Sequence, residues 1–527
     1  MMKKKLVATF ALVAACLAGT LAPGACAEEK TSSWNKPPMI GMYVHQHWSY
    51  NHPYAARTWT LEDWKGYLDG LKKLGFNTVL IWPVLETMPD PLTKSDEENL
   101  EKMAEVVDFA HAQDMRVLIA LCPNVIAKNE EAAKYTFVKR PFFFTDQRVN
   151  PADAIAMGKM LEFRRKIFTP LKKIDGVLII DSDPGGYPGS DNVEFVSLLN
   201  SHRTMFNELN PNIELYYWIH AGWEAYCRFY ATAEFAMGEN PEIQEAIKLL
   251  AKVNPEPWGL ASGRGPNVAD EIGMPDRVLN YQYGAIEGEP SFPMLNFGTE
   301  FAYQAGKNLG VRGTLGNSQT HCLQLPNAFL FSRGATGQPM PTREDYVAFA
   351  ERLLPGHGET IVAGWEAVNQ VDPAIIEAAE KNVSAMADTD LKPGDLEGLL
   401  FGSPKRFVTD LGHVLRFRAT LERFRTAALD GADKKVVAET MAAFVKEATD
   451  WQKVHDYKNN WYMPRMEEAL VKVDEATYKP FFVRDQNSYK GEGATPFEQV
   501  TNAYKKVETF TPSLLETMKK TVAALQK

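Results

Sequence analysis

Cysteine is scarce in this chain of 527 residues: there are five, and two of them, Cys16 and Cys26, fall within the first 27 residues. The other three, Cys122, Cys227 and Cys322, are too few for a disulfide framework, and no pair has metal-site spacing. One bridge stays open to them in an oxidising compartment. Positive charge is also in deficit. Lys and Arg number 57 against 67 Asp and Glu, a formal net charge of −10. No basic cluster follows the N-terminus, which argues against a nucleic-acid partner. Beyond residue 27 no apolar run is long enough to span a bilayer. Internal repeats and long low-complexity linkers are absent too.

Hydrophobic residues, by contrast, make up 45% of the chain, enough for one large domain plus a smaller one. Aromatics reach 11%, with 11 Trp and 19 Tyr. Residues 1–27 read as an export signal: Lys3-Lys4-Lys5, an apolar segment from Leu6 to Ala22, and Ala25-Cys26-Ala27 before Glu28. The alternative is lipoprotein processing, since Val13-Ala14-Ala15-Cys16 resembles a lipobox and Gly24-Ala25-Cys26 does so more weakly. The expected location is therefore periplasmic or extracellular, with a lipid anchor as the second option.

Strand and helix patterns alternate from residue 38 to about 368. Short apolar runs predict strands at 39–44, 78–83, 116–121, 176–181, 214–219, 258–263, 278–283 and 311–316. Between the first two, Thr60 can cap a helix with Asp63 in its first turn. Leu61, Trp64, Leu68 and Leu71 form its apolar stripe, and Gly75 ends it. Further helices are expected over 97–113, 151–171, 193–208 and 241–253. Eight strands alternating with helices define the α/β class and a (β/α)8 TIM barrel over 38–368. After residue 369 strand patterns vanish. Helical runs at 373–388, 404–429, 433–457, 460–475 and 496–526 predict an all-helical C-terminal domain over 369–527.

Chemistry in such barrels sits at the C-terminal strand ends. The most informative segment is GVLIIDSDPGGYPGSD, residues 176–191, where a buried strand stops at Asp181, Ser182 and Asp183. Strand side chains repeat every two residues, so both carboxylates can face one side and form an acid/base pair. The plainer reading is that one only braces the Gly185-Gly186 turn. The other strand ends supply His45, His47, Trp48 and Asn51; Trp82 and Glu86; Cys122 and Asn124; His220, Trp223 and Glu224; Arg264; Tyr281, Gln282 and Tyr283; and Asn317, Gln319, His321 and Gln324. Amides, imidazoles and carboxylates bind hydroxyls, and indoles stack on apolar sugar faces. Trp82 and Trp218 also fit as barrel filling, Asp191 as a helix cap, and Glu287 and Glu289 as solvated loop residues. His45 and His47 have the spacing of a metal pair on one strand face, but Arg264 and Asn317/Gln319 stand where an amidohydrolase carries its further ligands.

On these residues the chain resembles the secreted bacterial (β/α)8 glycoside hydrolases: the opening strand, the segment TLEDWKGYLDGLKKLGFNTVLIWP over 60–83, and the acids ending the fourth strand. The helical segment behind the barrel is similar to that of the family 84 hexosaminidases. In families 20 and 84, neighbouring acids after strand four assist attack by the substrate's own acetamido group. One orients and polarises the acetamide, and the other protonates the leaving oxygen. The resemblance implies those roles for Asp181 and Asp183. The chain departs from the pattern in having Ser182 between them. It also carries no acid in the Tyr-Gln-Tyr that ends strand seven, unlike the two-carboxylate retaining design.

The resulting expectation is an exported glycosidase acting on N-acetylated, host-type glycans without a cofactor. Asp183 would be the general acid, Asp181 the orienting group and Glu224 a reserve base. The sugar would meet His45, His47, Trp48, Asn124, His220, Trp223, Tyr281, Gln282, Tyr283, Asn317, Gln319 and His321. Two readings stand beside it: a metal-assisted hydrolase such as a deacetylase, using His45, His47, Asp181 and His220, and a non-catalytic glycan-binding surface protein.

Overall fold

Eight strands close into a parallel barrel: β1 (Met39–His45), β2 (Thr78–Trp82), β3 (Arg116–Leu121), β4 (Gly176–Ile180), β5 (Glu214–Trp218), β6 (Trp258–Ala261), β7 (Val278–Gln282) and β8 (Gly313–Ser318). Each pairs with its sequence neighbours, and β8 returns to β1 with Leu315 beside Gly41 and Asn317 beside Tyr43. The computed structural model describes residues 36–142, 145–182, 185–219, 222–232, 245, 248–249, 251–252, 258–261, 266–287, 297–298, 300–456, 466–482, 492–499, 502 and 509–527. Residues 1–27, expected to be an export signal, and Asp183, His220, Arg264, Glu289 and most of the helix expected at 241–253 lie outside the described residues.

The outer helices are α1 (Leu61–Leu74), α2 (Lys94–Ala112), α3 (Ala154–Phe168), α4 (Asn192–Leu209), α5 (Trp223–Thr232), α6 (Pro266–Glu271), α7 (Glu300–Lys307) and α8 (Leu325–Ala335). Between β3 and α3 the chain makes a small antiparallel ribbon, Val125–Ala127 with Asp146–Arg148. Helix α1 forms as its sequence requires. Thr60 Oγ1 accepts the Asp63 amide at 3.1 Å, the Asp63 carboxylate accepts the Thr60 amide at 2.8 Å, and Gly75 leaves the helix at φ +99°. Asp191 caps α4 through the Glu194 amide at 2.9 Å. Strand β8 starts two residues later than expected. Gly310 and Gly313 bond to each other in a tight turn, and Gly313 stands at φ +124°. A Cβ there would lie 2.1 Å from Met39 O, so only glycine lets the strand begin.

Helices α9 (Arg343–Leu353), α10 (Gly358–Val368), α11 (Pro373–Met386), α12 (Pro404–Leu429), α13 (Lys434–His455), α14 (Met466–Val473), α15 (Glu475–Phe482) and α16 (Phe510–Leu525) follow. Two of them, α9 and α10, fall in the stretch assigned to the barrel. The barrel core runs on into this region through Trp365, Val408, Leu415 and Trp451. A second core gathers Phe417, Phe424, Met441, Phe444, Leu470, Leu514 and Met518 between α12, α13, α14 and α16. No described helix is long and apolar enough to cross a membrane.

Candidate functional site

Register decides which side chains enter the barrel, because paired residues of parallel strands face one way. The face that carries Tyr43 on β1 carries its partner Leu80 on β2, then Leu118 on β3, whose partner is Gly176, and Leu178 two residues further on β4. It continues with Tyr216 and Trp218 on β5, and with Tyr281 on β7 paired to Leu315 on β8. This face points inward. The rings of Tyr43 and Trp218, on strands four places apart in a ring of eight, meet at 5.6 Å, and Tyr281 packs on Trp218 at 4.2 Å. These three rings make a floor across the axis. At the opposite end Arg312 Nη2 holds Glu214 at 2.9 Å, a buried ion pair that stabilises rather than reacts.

Above the floor lies a cluster of rings. His45 and His47 are 4.1 Å apart between centroids, His45 packs edge-on to Trp82 at 4.7 Å, and His47 lies 3.8 Å from Trp48. Burial takes the His45 imidazole down to about 3, helped by His321 and then the Arg57 guanidinium. His47 is held well below its ordinary value by burial, then by His45 and Arg57. Both rings are therefore neutral at ordinary pH. His45 Nδ1 is buried without a partner.

One cation shapes this loop. Arg57 is buried and donates to Gln46 O and His47 O, both at 2.5 Å, and to Arg140 O at 2.7 Å. It thereby ties the exit of β1 to the segment after the ribbon strand Val125–Ala127. Arg164 does the same for β3, donating to Pro123 O at 2.6 Å, Cys122 O at 2.7 Å and Val125 O at 2.9 Å. Arg164 had a sequence signal: it falls on the apolar face of α3 with Met160 and Ile167. Arg57 had none, since it sits in a single turn between elements.

The described acids are all engaged. Asp181 is fully buried; Oδ1 accepts the Ser182 hydroxyl at 2.6 Å and Oδ2 the Gly222 amide at 2.8 Å. Its carboxylate thus braces the exits of β4 and β5 against each other. Glu224, half-buried, accepts the Asn192 amide at 3.2 Å and so joins α5 to the start of α4. Glu86 is buried beside Trp82, accepting its indole N–H at 3.3 Å and the Cys122 amide, and burial raises its pKa. Glu287 corrects an expectation. It is buried, not solvated, and gathers the Gln319 amide at 2.6 Å, the Thr320 amide at 2.5 Å and the Thr320 hydroxyl at 2.6 Å. A loop glutamate outside any periodic pattern gives no sign of this in sequence.

The remaining candidates divide. Trp48 donates its indole N–H to Gln319 Oε1. Asn124 uses its amide nitrogen on Val149 O at 2.9 Å and Gly186 O at 3.1 Å, leaving Oδ1 buried without a partner. Asn317 spans the loop after β7, accepting the Gly284 amide at 2.8 Å and donating to Glu287 O. His321 turns Nδ1 to the Tyr67 hydroxyl on α1, and burial takes it down to about 3. Trp223 packs between helices, stacked on Phe195 at 5.0 Å with its indole N–H on Ser190 Oγ at 3.0 Å. Gln282 is half-buried at the end of β7, and Tyr283 is exposed. Cys122, Cys227 and Cys322 are buried and not joined in a disulfide. Among the described residues no three His, Cys, Asp or Glu side chains gather as a metal site.

The strand pairing defines the chain as a (β/α)8-barrel protein with a helical C-terminal region. No protein-family model and no curated protein matches it. Among solved structures it is similar to a Thermobaculum terrenum O-GlcNAc hydrolase, at 8% identity over 93% of this chain and 96% of that one, with a TM-score of 0.43. It is also similar to a GH138 enzyme targeting pectin rhamnogalacturonan II, at 11% identity over 84% of this chain and 68% of that one, with a TM-score of 0.44. A Streptomyces plicatus beta-hexosaminidase follows at 10% identity over 57% of this chain and 64% of that one, with a TM-score of 0.34. At these values the likeness transfers no residue roles, and the barrel rests on its own strand register.

Proposed function

We propose that the chain is a glycoside hydrolase acting at the C-terminal mouth of its barrel, on exported-side glycans of N-acetylated, host type. The observation that carries this reading is the ring cluster at the C-terminal strand ends: Tyr43, Trp218 and Tyr281 across the axis, with His45, His47, Trp48 and Trp82 beyond them. Flat apolar faces with neutral polar edges suit a pyranose, which presents one apolar face and a rim of hydroxyls. His45 Nδ1 and Asn124 Oδ1, buried and unpartnered, are the atoms suited to receive such hydroxyls. In this reading Asp183 gives its proton to the leaving glycosidic oxygen. Asp181, fixed by Ser182 and Gly222, orients the attacking group from a neighbouring turn. Tyr283, Gln282 and Gln319 complete the sugar contacts.

The test is a panel of chromogenic glycosides and mucin-type glycans, run on the parent and on Asp183→Asn and Asp181→Asn. General-acid loss predicts a fall in kcat/KM of roughly a hundredfold or more for Asp183→Asn on poor leaving groups. Sugar binding that survives both substitutions, with no turnover by the parent, would establish a binding protein instead. The second reading, a metal-assisted deacetylase, rests on the neutral His45 and His47 rings 4.1 Å apart. Stoichiometric zinc that is lost together with activity in His47→Ala would replace the glycosidase reading.

A further inference from the structure

The mouth loop after β1 meets the helical region at the end of α13. The last carbonyls of a helix have no donors within the helix. Those of α13 are served by one mouth residue. Asn51 donates its backbone N–H to His455 O at 3.0 Å, and its side-chain amide to Val454 O at 3.1 Å and Lys453 O at 3.4 Å. A line of rings runs alongside. Trp48 stacks on Tyr50 at 5.5 Å with 4° between planes, Tyr50 lies 5.2 Å from His455, and His455 lies 4.0 Å from Tyr54 and 5.5 Å from Trp451. His455 is buried, and that burial keeps its ring neutral. On its far side Trp48 is fixed by His47 and by Gln319.

We propose that α13 completes the mouth: Asn51 and His455 are positioning residues that set the plane of Trp48, whose indole N–H in turn holds the Gln319 side chain, one of the groups assigned to the sugar. The sugar role rests on the glycosidase reading; the mechanical link between α13 and Trp48 does not. Two sets of contacts carry it, hydrogen bonds to the helix end and a ring stack, and they reach the same loop from different atoms.

The experiment compares the full chain with Asn51→Ala, His455→Ala and His455→Phe. The near-UV circular dichroism band of Trp48 is assigned by difference against Trp48→Phe. Both alanine variants should alter that band, and His455→Phe, which keeps a flat ring, should restore it. With a turned-over glycan, the alanine variants should raise KM about three- to tenfold with kcat nearly unchanged, the range one aromatic pair is worth, and His455→Phe should recover KM. Alanine variants that fold and keep the parent band overturn the proposal, whatever the glycan screen gives. Should His455→Ala fail to fold, Asn51→Ala retains every ring and decides alone. A changed band without any sugar binding removes the glycosidase reading and leaves the link standing.

Discussion

Replacing His202 on α4 with glutamine should weaken the response of the fold to acid, by an amount that can be worked out. His202 is fully buried. Its Nδ1 faces Leu198 O at 2.8 Å as a donor, and its Nε2 accepts from the Arg164 guanidinium. Both nitrogens are thus committed to the neutral form. Burial, and then the Arg164 charge, take its pKa to about 3, against an ordinary 6.5. A folded pKa below the unfolded one means that the unfolded chain binds the proton first. The stabilisation is fully present above pH 6.5 and drains away as pH falls towards 3. At pH 5 the unfolded histidine gains about 2 kcal/mol by protonation while the folded one gains nothing. His45, His321 and His455, also at about 3, respond alike. Glu86 and Glu287, raised by burial, work in the opposite sense as pH falls towards 4.5, because the folded state takes up their protons first. The comparison of parent with His202→Gln cancels them. Urea unfolding at pH 7.5 and pH 5.0 should show the parent losing about 2 kcal/mol more than the variant between the two. At pH 7.5 the variant should itself be about 1 kcal/mol weaker, from the altered Arg164 contact. Equal losses in both proteins would refute a neutral His202.

Glu287→Ala should cost about 3 kcal/mol or more in urea unfolding, because the Gln319 and Thr320 amides lose their acceptor. Glu287→Gln, which keeps one acceptor oxygen, should cost about 1 kcal/mol. Glu224→Gln should leave turnover within about twofold of the parent in the same assay as Asp183→Asn, since its oxygen serves the Asn192 amide. The thiols of Cys122, Cys227 and Cys322 should resist an aromatic disulfide reagent in native buffer and react in denaturant. All three are buried, and burial pushes Cys227 and Cys322 up to about 12.

Much of the architecture was legible because its signals are local. Apolar runs between polar turns mark all eight strands, and Thr60, Asp63 and Gly75 bound α1 by their own chemistry. The late start of β8 was not legible, because it depends on Gly313 meeting Met39 across the closure of the ring. At the site, strand-end position found the His45, His47, Trp48 and Tyr281 cluster. It did not reveal which polar groups hold loops. Residue type and strand-end position single out Asp181, Asn317 and Glu224, but their hydrogen-bond partners, Ser182 and Gly222, Gly284 and Glu287, and Asn192, are set by the fold. Arg57 and Glu287, which organise two loops of the mouth, carry no periodic pattern at all. Long-range bonds to backbone leave no trace in local composition.

The meeting of Tyr43 with Trp218 has a topological consequence for traffic. With rings from opposite staves touching over the axis, and an arginine–glutamate pair filling the far end, the ring of strands encloses a packed interior and no tunnel. A ligand of this barrel would therefore come and go by the one mouth.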